Sequence, residues 1–181
     1  CDIVYDMGDA MLVLDESITS SFVLTDNKGN ILLDDKGMVM LSEKGIVSFV
    51  EKLASEYNTC NTELSFQATR GETVLVPYQN YGTELDVEAE TEYLKNAFIN
   101  KVNEVHIPTY IHQTNVRGKN DIGDTYIEID MTAQKLYGYK DGVLLIETDI
   151  VTGNMKRKWD TPAGVNFVYN KQKNRVLRGP G

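Results

Sequence analysis

Cysteine, proline, histidine and tryptophan are all scarce in this chain. Its 181 residues hold two cysteines, four prolines, two histidines and one tryptophan. Two cysteines, Cys1 and Cys60, are too few for a disulfide framework, so a packed core must hold the fold. No Cys/His pair has metal-ligand spacing, and no phosphate loop or dinucleotide fingerprint occurs, so no metal or cofactor is expected. Uninterrupted apolar runs are short, Val143 to Ile146 being one, against the roughly 20 residues that span a bilayer. There is no signal-peptide pattern, and the first residue is Cys1 rather than Met. The sequence therefore reads as an excised or mature fragment, with a secretion signal or membrane anchor expected upstream.

Basic residues are also in deficit, and unevenly so. The net charge is -9; residues 1–123 hold 20 Asp and Glu against 9 Lys and Arg, residues 124–181 hold 7 against 9. An acidic body argues against nucleic acid, whose phosphates are met by Lys and Arg. The change of sign near residue 124 marks a boundary. Beyond it Lys156, Arg157, Lys158, Lys171, Lys173, Arg175 and Arg178 face only Asp160. That tail is either a solvated surface or a basic rim for an anionic polymer.

What is present is ordinary globular material, 41% hydrophobic and 25% charged. The first half alternates strands and helices. Asp2 to Tyr5 reads as a strand entering a fold, and Ser21–Thr25 and Ile31–Leu33 as strands joined by a turn in which Gly29 supplies positive φ. Ile46, Phe49, Val50, Leu53 and Tyr57 form one apolar stripe at helical period, with Ser42 as N-cap and Glu43 at the positive end of the dipole. Gly45 weakens the first turn of that helix. Leu64, Phe66 and Ala68 alternate with polar residues and turn at Arg70-Gly71 into a strand carrying Val74 and Val76, a hairpin. Asp86 caps a second helix, with Glu88, Glu90 and Glu92 at its start, Lys95 and Lys101 toward its end, and Leu94, Ala97 and Phe98 on its buried face. No internal repeat or low-complexity segment is read.

Residues 107–121 read as a connector, with Pro108 and a polar run around Arg117-Gly118-Lys119. The expected units are 1–121 and 122–181, and limited proteolysis is expected to cut first near Arg117 or Lys119. From Tyr126 the pattern is all-β. Ile127, Ile129 and Met131 share one face, Glu128 and Asp130 the other, and Leu136–Tyr139 pairs with Val143–Val151 across Lys140-Asp-Gly142. Gly138, Gly142 and the Gly179-Pro-Gly181 end are read as turn glycines, and Thr161-Pro-Ala-Gly164 as a bend between strands.

The ordered set Tyr126-Ile-Glu-Ile-Asp130, Lys140-Asp-Gly142, Glu147-Thr-Asp-Ile-Val-Thr-Gly153 and Thr161-Pro-Ala-Gly-Val165 resembles the opening of the L,D-transpeptidase (YkuD-like) catalytic domain. Residues 1–115 are similar to the peptidoglycan-binding domain that precedes it in many Gram-positive members. The residues that carry this second likeness are Asp26-x-x-Gly-Asn30, Leu53-Ala-x-x-Tyr-Asn-Thr59 and Tyr81-Gly82. Thr83 and Glu84 depart from it, standing where many relatives carry tryptophan. The fold implied is α+β: an N-terminal α+β domain followed by an incomplete all-β, sandwich-like catalytic domain. The implied activity is ping-pong acyl transfer between peptidoglycan stem peptides. A low-pKa thiolate attacks, a histidine acts as base, backbone N–H groups hold the oxyanion, and carbapenems acylate the same thiol. The implied location is extracellular and wall-associated.

The family delivers its nucleophile in a Ser-His-Gly-Cys-x-Asn segment, and this sequence contains none. No residue is therefore assigned a catalytic, cofactor-binding or metal role. Cys1 and Cys60 read as bystanders that could pair with each other in an oxidising compartment. His106 and His112 read as structural or exposed, with a Cys60–His112 dyad the alternative. The chain itself is expected to be inactive, the parent protein a transpeptidase, and the rival reading is a non-catalytic peptidoglycan-binding module. An all-β unit lacking a neighbour strand leaves an open edge, expected to exchange quickly or to dimerise.

Overall fold

The computed structural model describes residues 2–79, 81–174 and 176. Strand β1 (Ile3–Asp6) lies at the centre of a three-stranded sheet, antiparallel to β2 (Met11–Val13) and parallel to β6 (Glu104–His106). The expected strand at the start of the chain is thus the middle of a sheet closed by residues a hundred positions later. Against it pack two helices, α2 (Glu43–Tyr57) and α3 (Val87–Asn100). The short α1 (Glu16–Thr19) runs into a 3-10 turn, Ser20–Phe22. Both expected caps are in place, Ser42 Oγ accepting from Gly45 N at 3.1 Å and Asp86 Oδ1 from Ala89 N at 2.9 Å.

The core runs from Ile3, Tyr5 and Met7 through Phe22 and the inner faces of α2 (Ile46, Val50, Leu53, Ala54) and α3 (Leu94, Ala97). Phe22 is fully buried, with Phe49 and Phe98 edge-on at 5.3 Å each. Its position corrects the expected strand at Ser21–Thr25: Phe22 ends a helical turn, and only isolated bridges follow it. The same packing explains Gly45. A Cβ there would run into the Ser21 carbonyl oxygen, so the glycine admits the 3-10 turn to the helix rather than merely weakening it.

Between Phe22 and Ser42 the structure reveals a repeat. Asp26 Oδ1 accepts from Lys28 N and Asn30 N, and eight residues later Asp34 Oδ1 accepts from Lys36 N and Met38 N, at 2.8–2.9 Å. Gly29 and Gly37 take positive φ in both turns. Leu24 N donates to Met40 O, Met40 N to Leu32 O, and Leu32 N to Leu24 O, which closes a three-membered ring of hydrogen bonds. Ser42, eight residues after Asp34, holds the equivalent place and starts α2. The underlying unit, Asp or Ser, any residue, then Lys-Gly, is present at 26, 34 and 42. The absence of an internal repeat is thereby corrected; the period was obscured because its third copy becomes a helix.

Beyond the core, β3 (Glu63–Gln67) and β4 (Thr73–Pro77) form the expected hairpin. Strand β5 (Glu84–Leu85) pairs with β7 (Tyr110–His112). The last sheet has the order β10 (Val143–Asp149), β9 (Lys135–Lys140), β8 (Ile127–Asp130), all antiparallel, with the turn at Asp141-Gly142 in positive φ. Gly138 is not a turn residue. It lies inside β9, opposite Ile127 and Ile146. Burial in this sheet falls on the acidic face: Glu128 and Asp130 are each 9% exposed, Ile127 57% and Ile129 48%. Among the described residues no helix is long and apolar enough to cross a membrane.

Candidate functional site at the junction of the two regions

The polar chemistry of the chain concentrates where the first region meets the last sheet. At the hairpin tip, Thr69 N and Oγ1 both donate to the Glu128 carboxylate, and the Thr69 hydroxyl also lies 2.9 Å from Tyr139 OH. Beside it Arg70 Nε stands 3.3 Å from Asp130 Oδ2, an ion pair without an aligned hydrogen bond to that oxygen. Asp130 Oδ1 meanwhile accepts from Thr132 N and Ala133 N. Phe66 meets Tyr126 edge-on, and Tyr126 stacks on Tyr139. The hairpin tip, with Phe66 of β3 beside it, thus covers the acidic face of the last sheet.

A second joint follows directly in sequence. Tyr78 bridges Val165 in parallel, with Val165 N donating to Pro77 O at 2.9 Å. A side chain on Gly164 (φ +132) would collide with Gln79, so the Thr161-Pro-Ala-Gly164 bend brings its backbone against residues 77–79.

The connector supplies the third joint. Asp121 is fully buried; its carboxylate accepts from Thr59 Oγ1 (2.5 Å) and Tyr78 OH (2.6 Å), and its carbonyl from Tyr81 OH (2.7 Å). Thr59 Oγ1 also accepts from Thr83 N, Asn58 Oδ1 from Leu85 N, and the Thr83 and Thr114 hydroxyls meet at 2.9 Å. The residues that carry the sequence likeness, Asn58-Thr59 and Tyr81-Gly82, are therefore the ones gathered here. Burial first, and then the hydrogen bond to Asp121, pushes the Tyr78 phenol well above its ordinary value. Farther along, Arg117 donates to Asp6 O and Asp6 Oδ2 at 2.6 and 2.7 Å, and Lys119 N donates to Asp9 Oδ2. The connector is pinned to the first region, not a loose polar strap. Its sequence looked free of buried residues because the partners of Asp121 lie about 40 and 60 positions upstream.

Cys60 sits half-buried against this cluster. Burial pushes its thiol up, and the Glu84 and Asp121 carboxylates push it further in the same direction. That is the reverse of the setting an attacking thiolate needs. His112 lies exposed on β7, opposite Glu84. His106 is structural. Its Nε2 lies 3.0 Å from Glu90 Oε2, its ring stacks on Tyr93 at 3.5 Å, and Tyr5 packs edge-on. Glu90, fully buried, accepts also from Tyr5 OH and Thr109 N. Sequence reading placed Glu90 only as a dipole residue; a carboxylate at a core-facing helix position was the available signal. Cys1, Arg175, Arg178 and Gly179-Pro-Gly181 lie outside the described residues. Among the described residues no three His, Cys, Asp or Glu side chains are grouped to hold a metal ion.

Residues 9–106 match the family described as "Putative peptidoglycan binding domain", and residues 124–181 match the L,D-transpeptidase catalytic domain. Comparison with curated proteins gives no match. Two solved structures resemble the whole chain. A crystal structure of a cysteine-to-serine mutant of the Enterococcus faecium L,D-transpeptidase is 29% identical, with a TM-score of 0.76, over 98% of this chain and 67% of that one. The Ldtfm–avibactam carbamoyl enzyme is 29% identical, with a TM-score of 0.77, over 98% of this chain and 66% of that one. The chain spans about two thirds of the length of these two relatives. It belongs to the peptidoglycan-binding family over its first region, and it continues there into L,D-transpeptidase catalytic-domain sequence.

Proposed function

We propose that this chain is the wall-contacting domain and the opening sheet of a cell-wall L,D-transpeptidase that acts outside the membrane. In the parent protein a cysteine thiolate takes an acyl group from one peptidoglycan stem peptide and passes it to an amine of another. The observation that carries this reading is the likeness to the E. faecium enzyme across 98% of the chain, spanning both regions and the joints between them. On this reading the nucleophile is not among residues 1–181, since no Ser-His-Gly-Cys segment occurs there and burial together with the Glu84 and Asp121 carboxylates pushes the Cys60 thiol up. The exposed Ile127, Ile129 and Ile146 surface of the last sheet is where the rest of a transpeptidase domain packs.

A second reading, a non-catalytic wall-binding module, is favoured by one observation: the region matched to the binding family is the one with the complete core. The gene sequence beyond Gly181 separates the two. A Ser-His-Gly-Cys-type segment is expected within about half a domain's further length; a stop codon in its place would overturn the transferase reading and leave the binding module. Sedimentation of the isolated chain tests whether the open β10 edge pairs with a second copy, the alternative being fast amide exchange in a monomer.

A further inference from the structure

The hairpin β3–β4 lies inside the stretch matched to the binding family, yet its bonds go to the other region. The apolar core draws on residues 3–57 and 85–110 and on none between them. Among the described residues, every hydrogen bond, ion pair and ring contact that leaves 63–77 ends on the last sheet or on Val165. Phe66 meets Tyr126, Thr69 bonds to Glu128 and Tyr139, Arg70 pairs with Asp130, and Pro77 O accepts from Val165 N. A hairpin that simply packed on its nearest neighbours in sequence would share bonds with α2, which precedes it. This one shares none.

The chain therefore passes between two bodies three times: out through Thr59 into the hairpin, back through Tyr78 and Tyr81, and along the connector through Asp121. One residue ties all three passages together. The fully buried Asp121 carboxylate accepts from Thr59 Oγ1 and Tyr78 OH, and its carbonyl accepts from Tyr81 OH. Around it Thr83 N donates to Thr59 Oγ1, and the Thr83 and Thr114 hydroxyls meet. A buried carboxylate is tolerated only while its hydrogen bonds are made. If the passages part, that carboxylate and the hydroxyls on it lose their partners together, so the neck opens as a unit.

We propose that the hairpin and the last sheet form one rigid body that hinges against the core of the first region at this neck, and that Asp121 is the lock that holds the hinge in the observed arrangement. The moving unit is then 63–77 together with 127–149, rather than the unit that begins at residue 122. Hinges of this kind are a few loop or element-end residues that absorb the backbone change while the packed bodies stay intact. On the transpeptidase reading given above, the lock sets the angle between the wall-contacting region and the catalytic part. The hinge itself does not depend on that reading.

The test is NMR on the isotope-labelled chain, with residual dipolar couplings assigning each group of amides to an alignment frame. In the wild type one frame is expected to fit 3–57, 63–77, 84–112 and 127–149. In Asp121→Ala two frames are expected, and 63–77 should share the one that fits 127–149. Tyr78→Phe keeps the ring and removes one hydroxyl from the carboxylate; it carries the same expectation should Asp121→Ala fail to fold. Amide exchange gives a second readout. Thr83 N, in the neck, should quicken on the order of tenfold in Tyr78→Phe, while Thr69 N, held by Glu128 inside the moving body, should not change. A single frame persisting in the variants would remove the hinge. Hairpin amides that follow the frame of α2 and α3 would overturn the assignment of the moving body, and two frames already present in the wild type would deprive Asp121 of its role as lock. None of these outcomes touches the transpeptidase reading, which the gene beyond Gly181 decides.

Discussion

Residues 3–110 build one buried apolar core, whereas the sheet of residues 124–149 buries carboxylates and leaves its isoleucines exposed. Ile3, Tyr5, Phe22, Ile46, Val50 and Leu94 are all at 0–1% exposure, on strand and helices that face one another. In the later region Tyr137 is the buried hydrophobic, at 8%, while every residue of β10 is exposed and the two inward carboxylates are Glu128 and Asp130. The first region closes one contiguous apolar core over its sheet and helices, although Met11, Val13, Ile31, Leu33 and Val105 outside that core stay 53–60% exposed. The second has an antiparallel sheet with β8 and β10 at its edges and a register shift between Leu144 and Ile146, and its Ile127, Ile129 and Ile146 stay 48–57% exposed among the described residues. Ladder hydrogen bonds alone contribute modestly, because the unfolded chain bonds to water instead. The later sheet is therefore held mainly through its polar face, by the hairpin tip and by Asp121.

Substitutions should expose this contrast at once. Phe22→Ala removes a fully enclosed ring and is expected to cost about 3–5 kcal/mol. Ile129→Ala, on an apolar residue of similar hydrophobicity that is 48% exposed, should stay within about 0.5 kcal/mol. Urea unfolding followed by circular dichroism measures both. Equal losses would mean that the open face is covered in solution.

Next in size is an acid-sensitive term confined to the first region. Burial pushes Glu90 up, but the hydrogen bond from His106 and those from Thr109 outweigh it, and the carboxyl ends below its usual range. A depressed folded-state value gives stability that is full above the unfolded carboxylate range, near pH 4.3 by the ordinary Glu value, and is lost as pH falls through the folded one. Glu90→Gln should flatten the acid limb of a stability–pH profile. It should also lower stability near neutrality, since Tyr5 OH and Thr109 N lose a charged acceptor. A Glu90→Gln profile parallel to wild type would remove Glu90 from this role.

Smaller again is the joint. Arg70→Ala, Asp130→Asn and the pair together form a double-mutant cycle, with an expected coupling of about 1 kcal/mol given that Arg70 is one-third exposed. Amide exchange should quicken in β8 and leave α2 unchanged. Additive effects would show that the hairpin tip rests on the sheet without holding it.

The same contrast decides what could be read ahead of the structure. The stripe on α2 and the caps Ser42 and Asp86 were legible because helices announce themselves within a dozen residues. The pairing of β9 with β10 was legible from the turn at Asp141-Gly142, but the register shift between Leu144 and Ile146 was not. Alternation in β8 told which residues share a face, but not which face finds a partner, since that depends on Thr69 and Arg70 some sixty positions earlier. Glu90 was read as an end-of-helix charge because His106, Tyr5 and Thr109 come to it only in three dimensions. Gly45 looked like a weak spot in a helix until the Ser21 carbonyl was seen against it. The candidate site suffered most, being assembled entirely from such distant pairs.

Proteolysis gives a milder test. Exposed backbone without tertiary bonds is cut first. Sequence alone put the first cut at Arg117 or Lys119, but those residues are tied to Asp6 and Asp9. Brief trypsin treatment is instead expected to cut at Lys156, Arg157 or Lys158, on an exposed stretch joined to the rest by few bonds. Early cleavage at Arg117 would mean that the bonds to Asp6 and Asp9 do not hold the connector in solution.

The smallest expected effect is none at all. Incubated with a carbapenem, the chain should gain no covalent adduct. Acylation by a transpeptidase needs a thiolate, an imidazole to deprotonate it and donors for the oxyanion. Cys60 is the thiol among the described residues, and burial together with Glu84 and Asp121 keeps it protonated. His106 has its nitrogen turned to Glu90, and His112 is on the exposed strand β7. Intact-mass spectrometry reads the outcome directly. A stoichiometric adduct mapped to Cys60 would mean that the junction itself is reactive, and the reading of that thiol as a bystander would fall.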